Sequence, residues 1–410
     1  MALKRQALLW GSIFLAIVGF ILHIHQLFAM AATLALLPLV SRFIGRRKLQ
    51  GLRASRQLVP AVSAGEATGV TVRITNDART RKIFFTVSDT LPPPLPGAGK
   101  TSPELPVAIL GPGESALLSY EVQPTRRGLF TLGPVQLATR DPLGIRPYAR
   151  QLPVLSELVV YPRPVVLPPL WPAAAGGRHP VRPRRRLRGE GDELYGIRDY
   201  VAGDDPRRID WKTTARRGKL AVVEYERPES LEGLIVLDLG EAWHGGEEDR
   251  HTLEYGVVLA ASLAEQALAR GSTVGLIAAG SRQDFSLAPD PAEAQRLRLL
   301  ESLARVQPQP APTLAQVVQE RVPLLPRNGT VSVISPSPAE APLGLWLRGL
   351  GQTVIWFMLD RPTFPGPVPA PADYDSLEAA LLGARCRVHR VPGDRPLEAN
   401  WRGGGGLAII

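Results

Sequence analysis

From Gln6 to Ser41 the chain carries no Lys, Arg, Asp or Glu. As one straight helix this run would be about 54 Å long at roughly 1.5 Å per residue, against a bilayer core of about 30 Å. A break is therefore expected, and His23-Ile24-His25-Gln26 supplies it. One helix is predicted over Leu8 to Leu22 and a second over Leu27 to Phe43, with Pro38 placed to kink the second. Lys4 and Arg5 precede the pair, and Arg42, Arg46, Arg47, Lys48, Arg53 and Arg56 follow it. By the positive-inside rule both ends face the cytoplasm. Residues 1–48 are thus expected to form a transmembrane helical hairpin with a basic flank. That hairpin would anchor the chain in the inner membrane of a bacterial cell with the soluble domains facing the cytoplasm, and the lipid bilayer is the first expected partner. The competing reading is a cleaved signal peptide with Ala29-Met30-Ala31 at its cleavage site. It would leave a second apolar stretch at the new N-terminus, which suits a secreted domain poorly.

The formal charge is +10, and much of the excess lies beside the apolar run and at Arg182 to Arg188. Positive charge next to such a run reports topology and attraction to anionic lipid rather than nucleic acid. No nucleic-acid partner is expected, although Arg182 to Arg188 keeps a weaker reading of that kind open. Cys386 is the sole cysteine, so neither an internal disulfide nor a zinc site built of thiolates can form. Arg385 and Arg387 could lower its pKa, but the alternation Cys-Arg-Val-His-Arg-Val reads as a strand with a structural cysteine.

Residues 57–162 read as a small antiparallel β-sandwich. Val70 to Ile74 alternates apolar and polar residues, and Lys82 to Val87, Ala116 to Val122, Leu129 to Leu132 and Val135 to Thr139 are further short strands between turn signals. Residues 163–189 are a Pro- and Arg-rich connector. Over residues 228–396 the period changes. Leu234 to Leu237 is a continuous apolar run, followed by a helical stripe through Leu253, Val257, Leu263 and Leu268. Further strands at Thr273 to Ala278, Thr330 to Ile334, Thr353 to Leu359 and Arg387 to Val391 alternate with helices. One of those helices is expected to be capped by Asp290, and another by Asp375 with Glu378. This is an α/β, Rossmann-type pattern with a mainly parallel sheet. Residues 397–410 read as a tail.

Residues 190–227 are the most unusual stretch, with charges interleaved among Tyr195, Tyr200, Ile209 and Trp211. Such a mixture suits arginine–carboxylate pairs packed over a partly buried surface. The stretch resembles the signature of domain of unknown function 58, a bacterial family. Gly191, Glu193, Ile197, Arg198, Tyr200, Gly203, Asp204, Arg207 or Arg208, Ile209, Trp211, Ala215 and Arg216 meet its pattern. Leu194 stands in place of an aromatic residue and Thr214 in place of a serine. Asp210 lies inside the same run. Arg126-Arg127-Gly128, Gly133-Pro134 and Asp141-Pro142-Leu143-Gly144 are similar to the family as well.

The resemblance implies a protein with no established enzymatic reaction, encoded beside MoxR-type AAA+ ATPases. It also implies a C-terminal half like a von Willebrand factor A domain. Such a domain holds Mg²⁺ through an Asp-x-Ser-x-Ser loop after its first strand. Here Asp238 ends that strand, but Gly240 and Ala242 occupy the serine positions, and Ser335 stands where a later carboxylate is expected. The metal site is read as degenerate, with Asp238 capping a helix or pairing with an arginine, and no cofactor is expected. His244 and His251 lie near Glu247, Glu248 and Asp249, which reads either as a solvated loop or as metal ligands. There is no P-loop, H-E-x-x-H or G-x-S-x-G motif. The expected function is a membrane-anchored, non-enzymatic adaptor working with a MoxR-type AAA+ ATPase in assembly or maturation of protein complexes or the envelope. The alternative is a hydrolase using Asp204 and Asp210 as general acid and base, although arginines near both favour ion pairs.

Overall fold

A computed structural model describes residues 2–93, 95, 102–140, 147–171, 188–189, 193–200, 209–226, 232–247, 249–290, 294–310, 312–327, 329–368 and 373–401. The chain divides into two compact units, Met1–Arg163 and Pro164–Ile410.

The first unit opens with helices α1 (Ala2–Leu22) and α2 (His25–Leu49), which turn at His23 through a backbone with φ of 53°. The Ser12 hydroxyl donates to the Ala31 carbonyl across the pair. The helices are present, but the expected transmembrane hairpin is not supported. Among the described residues no helix is long and apolar enough to cross a membrane. Helix α2 also departs from the expected second span. It does not stop at the apolar boundary but continues as one helix through Arg42, Arg46, Arg47 and Lys48. Its last turn is part of the sandwich core, with Leu49 fully buried. Two cationic side chains of that domain satisfy the final carbonyls of the helix: Lys82 donates to Arg47 O at 2.9 Å and Arg150 to Leu49 O at 2.8 Å. The membrane-anchored fold class, the inner-membrane location and the lipid partner read from this segment lose their basis with it.

Among the described residues ten strands follow: β1 (Leu52–Leu58), β2 (Ala61–Ser63), β3 (Thr68–Asn76), β4 (Lys82–Asp89), β5 (Glu104–Leu110), β6 (Ser115–Val122), β7 (Gly128–Leu132), β8 (Val135–Arg140), β9 (Pro147–Leu152) and β10 (Ser156–Tyr161). They form three sheets, ordered β1-β3-β6, β2-β10-β7 and β5-β4-β8-β9. Period-two burial places Val70, Val72 and Ile74 of β3 inward, where Val72 and Ile74 meet Phe85, Val87, Val135 and Leu137 of the four-stranded sheet. A second cluster, with Leu95, Val122, Leu132, Leu158 and Val160, fills the space against β10. The pairing is not wholly antiparallel as the sequence suggests, because β2 runs parallel to β10 with Val160 opposite Val62.

In the second unit, β11 (Arg188–Gly189), β12 (Glu193–Asp199) and β13 (Ala221–Glu226) make a small antiparallel sheet ordered β11-β13-β12, and α3 (Trp211–Arg217) lies between β12 and β13 in sequence. The main body holds β14 (Glu232–Leu237), the two-residue strands β15 (Gly246–Glu247) and β16 (Arg250–His251), α4 (Thr252–Leu268), β17 (Thr273–Ala279) and β18 (Asp284–Asp290). It continues with α5 (Ala294–Arg305), α6 (Leu314–Gln319), β19 (Thr330–Ser335), α7 (Ala341–Gly349), β20 (Thr353–Asp360), α8 (Tyr374–Gly383) and β21 (Arg387–Pro392). Six strands form one sheet ordered β18-β17-β14-β19-β20-β21, parallel except for β18. The chain moves from β14 outward to β17 and β18, then returns to place β19 on the other side of β14. The strand order therefore reverses between β14 and β19.

Asp290, the expected cap of the following helix, is the last residue of β18. The helix α5 begins at Ala294, and residues 291–293, where its expected first turn lies, are outside the described residues. Asp373, not Asp375, caps α8, accepting from the Ser376 N–H at 2.9 Å.

Candidate functional site

In open α/β sheets, ligands sit outside the carboxyl ends of the strands, at the point where the strand order reverses. Here that point falls between Asp238, just beyond β14, and Ser335, the last residue of β19. Both are buried, and a direct hydrogen bond joins them, with the Ser335 hydroxyl donating to Asp238 Oδ2 at 2.6 Å. The other carboxylate oxygen, Oδ1, accepts the Gly240 N–H at 2.8 Å and so turns the chain back on itself after the strand. Ser335 Oγ in turn accepts the Ser337 N–H at 3.0 Å. Thus, among the described residues, Asp238 neither caps a helix nor meets an arginine; it ties two strand ends together.

The rim extends this stitching. His244 shares one ring nitrogen with the Asp238 carbonyl at 2.8 Å and the other with the Thr252 hydroxyl at 2.9 Å. His251 accepts from the Leu253 N–H as the N-cap of α4. Both histidines are therefore structural parts of the loop. Gln309 clamps the opposite side, its Oε1 accepting the N–H groups of Arg282 and Gln283 while its backbone exchanges bonds with Leu239 and Glu241.

These residues do not fit a magnesium ion. Mg²⁺ needs an octahedron of oxygen ligands. Gly240 and Ala242 offer no side-chain oxygen, the Asp238 oxygens and Ser335 Oγ are committed to one another and to backbone N–H groups, and Ser337 Oγ accepts from Ala339 N.

Glu340, also buried, completes the cluster. Its two oxygens accept the Leu314 and Ala315 N–H groups at the start of α6, at 3.1 and 3.3 Å. Burial pushes its carboxyl above the ordinary value of 4.5, and the Asp238 charge adds to this, while the two N–H groups oppose it. A raised acid in the fold holds its proton where the unfolded chain has released it. Its contribution to stability is therefore full below about 4.5 and is lost as pH rises through the folded value. Glu340→Gln is expected to remove that component. Denaturant unfolding followed upward from about pH 4, near the unfolded carboxyl value, should show a shallower fall of stability in the variant; identical slopes would contradict it.

The signature residues are distributed differently. Glu193 and Arg198 lie on β12, and Tyr200 follows it, half-buried, with its N–H donating to Leu220 O. Gly203, Asp204, Arg207 and Arg208 lie outside the described residues, as do Arg182 to Leu187 of the basic run. Asp210 is the N-cap of α3. It accepts from Lys212 N, Thr213 N and the Thr213 hydroxyl, which together hold its carboxyl below the usual range. Among the described residues its partners are hydroxyl and amide groups, and the preceding arginines, Arg207 and Arg208, lie outside them. Trp211 and Arg216 are exposed, rather than packed over a buried surface. Cys386 is buried among apolar side chains, and desolvation raises its thiol pKa despite the opposing charge of Arg348.

Residues 196–341 match the model of the family described as Protein of unknown function DUF58. The DUF58 match therefore runs from within β12 to the first residue of α7 and takes in Asp210, Trp211, Asp238, Ser335 and Glu340. The chain is also 24% identical over 244 residues to the uncharacterized protein YeaD of Bacillus subtilis. That alignment spans 58% of this chain and 58% of the relative, so it leaves a large part of each unmatched. Among solved structures, the CARDB domain of a Pyrococcus furiosus protein is similar at 15% identity and a TM-score of 0.20, covering 27% of this chain and 94% of that domain. Salmonella alpha-2-macroglobulin is similar at 16% identity and a TM-score of 0.21, covering 30% of this chain and 7% of that protein. Scores this low assign no fold.

Proposed function

We propose that the chain is a non-enzymatic interaction protein of the DUF58 kind, working with a MoxR-type AAA+ ATPase in assembly or maturation of protein complexes. Its second unit is read as a von Willebrand factor A-like domain whose metal loop has been replaced by internal hydrogen bonds. The observation that supports this reading is the Asp238–Ser335 bond. It spans the switch point where a ligand, metal or attacking water would sit, and together with the Gly240 N–H it engages both oxygens of the carboxylate at the end of β14. A surface fixed in this way suits docking better than chemistry. The hydrolase reading gains nothing from Asp210, whose carboxylate serves as a helix cap.

The test is calorimetry of the full chain against a purified MoxR-type ATPase from the same genome, with Asp238→Asn beside the wild type. Saturable binding by the wild type is expected. Asp238→Asn should weaken it, because an amide cannot accept from both Gly240 and Ser335 through equivalent oxygens. Absence of binding by the wild type would reject the adaptor role.

A further inference from the structure

We propose that the exposed face of α3 is a second contact surface of this protein, in addition to the strand-end surface, and that it takes an acidic protein segment presenting an apolar side chain to Trp211. The inference deepens the adaptor reading and rests on it for the identity of the partner, but not for the chemistry of the surface.

Two faces of α3 differ sharply. Thr213 and Thr214 are half-buried and face the protein, with Thr213 Oγ1 donating to Asp210 and Thr214 Oγ1 accepting the Ala221 N–H at 3.0 Å. Trp211, Lys212, Ala215 and Arg216, one helical turn apart in pairs, are all exposed. Trp211 is 66% exposed, and Leu220, just before β13, is 43% exposed. No carboxylate occurs from Trp211 to Leu220, whereas Lys212, Arg216, Arg217 and Lys219 do. The acid just before the helix, Asp210, is spent on the cap.

The face is also held rigidly. Asp210 caps the start, Gly218 ends the helix in the left-handed region, and backbone bonds from Asp210 N to Ala221 O and from Tyr200 N to Leu220 O pin both flanks to the small sheet. A tryptophan displayed on a fixed scaffold loses little further freedom on binding, and Trp and Arg are the residues that dominate interface energies. The surrounding cations select for an acidic partner by charge complementarity. A single-stranded nucleic acid is less suited, because such sites stack successive bases on several aromatic rings. Among the described side chains of the second unit, Trp211 is the one strongly exposed aromatic.

The experiment uses the full chain and fluorescence anisotropy with three probes: a labelled peptide alternating glutamate and leucine, its lysine–leucine counterpart, and an oligothymidine strand. The wild type should bind the acidic peptide in a salt-sensitive manner and ignore the basic one. Trp211→Ala, and separately Lys212→Glu with Arg216→Glu, should each weaken binding about tenfold or more with unchanged thermal unfolding. Failure of the acidic peptide to bind, equal binding by the variants, or preference for the oligothymidine would each overturn the inference. The ATPase separates it from the broader reading. If the wild type binds the ATPase and Trp211→Ala binds it equally well, the α3 surface is wrong and the adaptor stands; if the wild type binds the acidic peptide but not the ATPase, the surface stands and the partner is wrong.

Discussion

Asp89→Ala is expected to destabilise the first unit by about 3–5 kcal/mol, the usual cost of stranding one member of a buried ion pair. Arg56 and Asp89 are both 0% exposed at their side chains. The guanidinium meets the carboxylate with two bonds, Nε to Oδ2 at 3.0 Å and Nη2 to Oδ1 at 2.6 Å. Its remaining nitrogen donates to the carbonyls of Leu132 and Val154, and Gly133, with φ of 102°, lies against it where a Cβ would clash. The Tyr120 hydroxyl donates to Asp89 Oδ2 at 2.6 Å, and burial together with that bond pushes its pKa far above the phenol range, so it stays a donor. Removing the carboxylate therefore leaves a buried cation and a buried hydroxyl unmatched. Paired replacement with Arg56→Met and Asp89→Leu should cost much less than the sum of the single changes, because both desolvation penalties disappear together. Chemical unfolding of the four proteins measures this coupling. Additive costs would show that the pair contributes no more than two independent side chains.

That pair also marks where local pattern misleads. Arg56 stands in a row with Arg46, Arg47, Lys48 and Arg53, and as a row these cations read as the flank of a membrane segment. In the fold Arg47, Arg53 and Arg56 have separate tasks. Arg47 stacks on Phe43 at 4.3 Å, Arg53 pairs with Asp77 at the surface, and Arg56 is the inward residue of a strand. Only its distant partner distinguishes it, and Asp89 is remote in sequence. The same holds for Asp238 and Ser335, whose bond spans the switch point of the sheet. The sequence shows Gly240 and Ala242 after Asp238, yet not that the Ser335 hydroxyl bonds to the Asp238 carboxylate.

Periodicity, by contrast, carries the second unit well. The apolar runs at Leu234 to Leu237 and Thr353 to Leu359 appear as buried strands β14 and β20, because a strand covered on both faces has no polar side. The edge strand β18 escapes notice for the opposite reason. Its residues are half-buried or exposed, and Pro289 sits within it, as an edge allows. In the signature, residue type predicts importance but not orientation. The aromatic character of Trp211 suggests packing, whereas its exposure is set by the Asp210 cap and by the inward turn of the two threonines.

Gly233→Ala is expected to destabilise the second unit by about 3 kcal/mol, at the upper end for a single added methyl in a packed core. A Cβ at Gly233 would overlap Cζ2 and Cη2 of Trp171. Trp171 is 1% exposed and has no room to yield. Its backbone N–H donates to Gln266 Oε1 at 2.8 Å, its carbonyl accepts from Arg270, and Gln266 Nε2 also holds Pro168 O at 2.7 Å. Residues 164–171 are thus fastened along α4, with the indole ring lying against β14. Displacing the ring should release this segment as well as strain the strand. Trp171→Ala alone should cost a similar amount by leaving a cavity, about 3–5 kcal/mol. Combining the two is the decisive measurement, because the alanine at 233 partly fills the space the indole has left. Thermal unfolding of the double variant should therefore show a smaller loss than the two single losses added. A Gly233→Ala protein that melts with the wild type would mean that the ring moves aside at no cost, and that the connector is not held by β14.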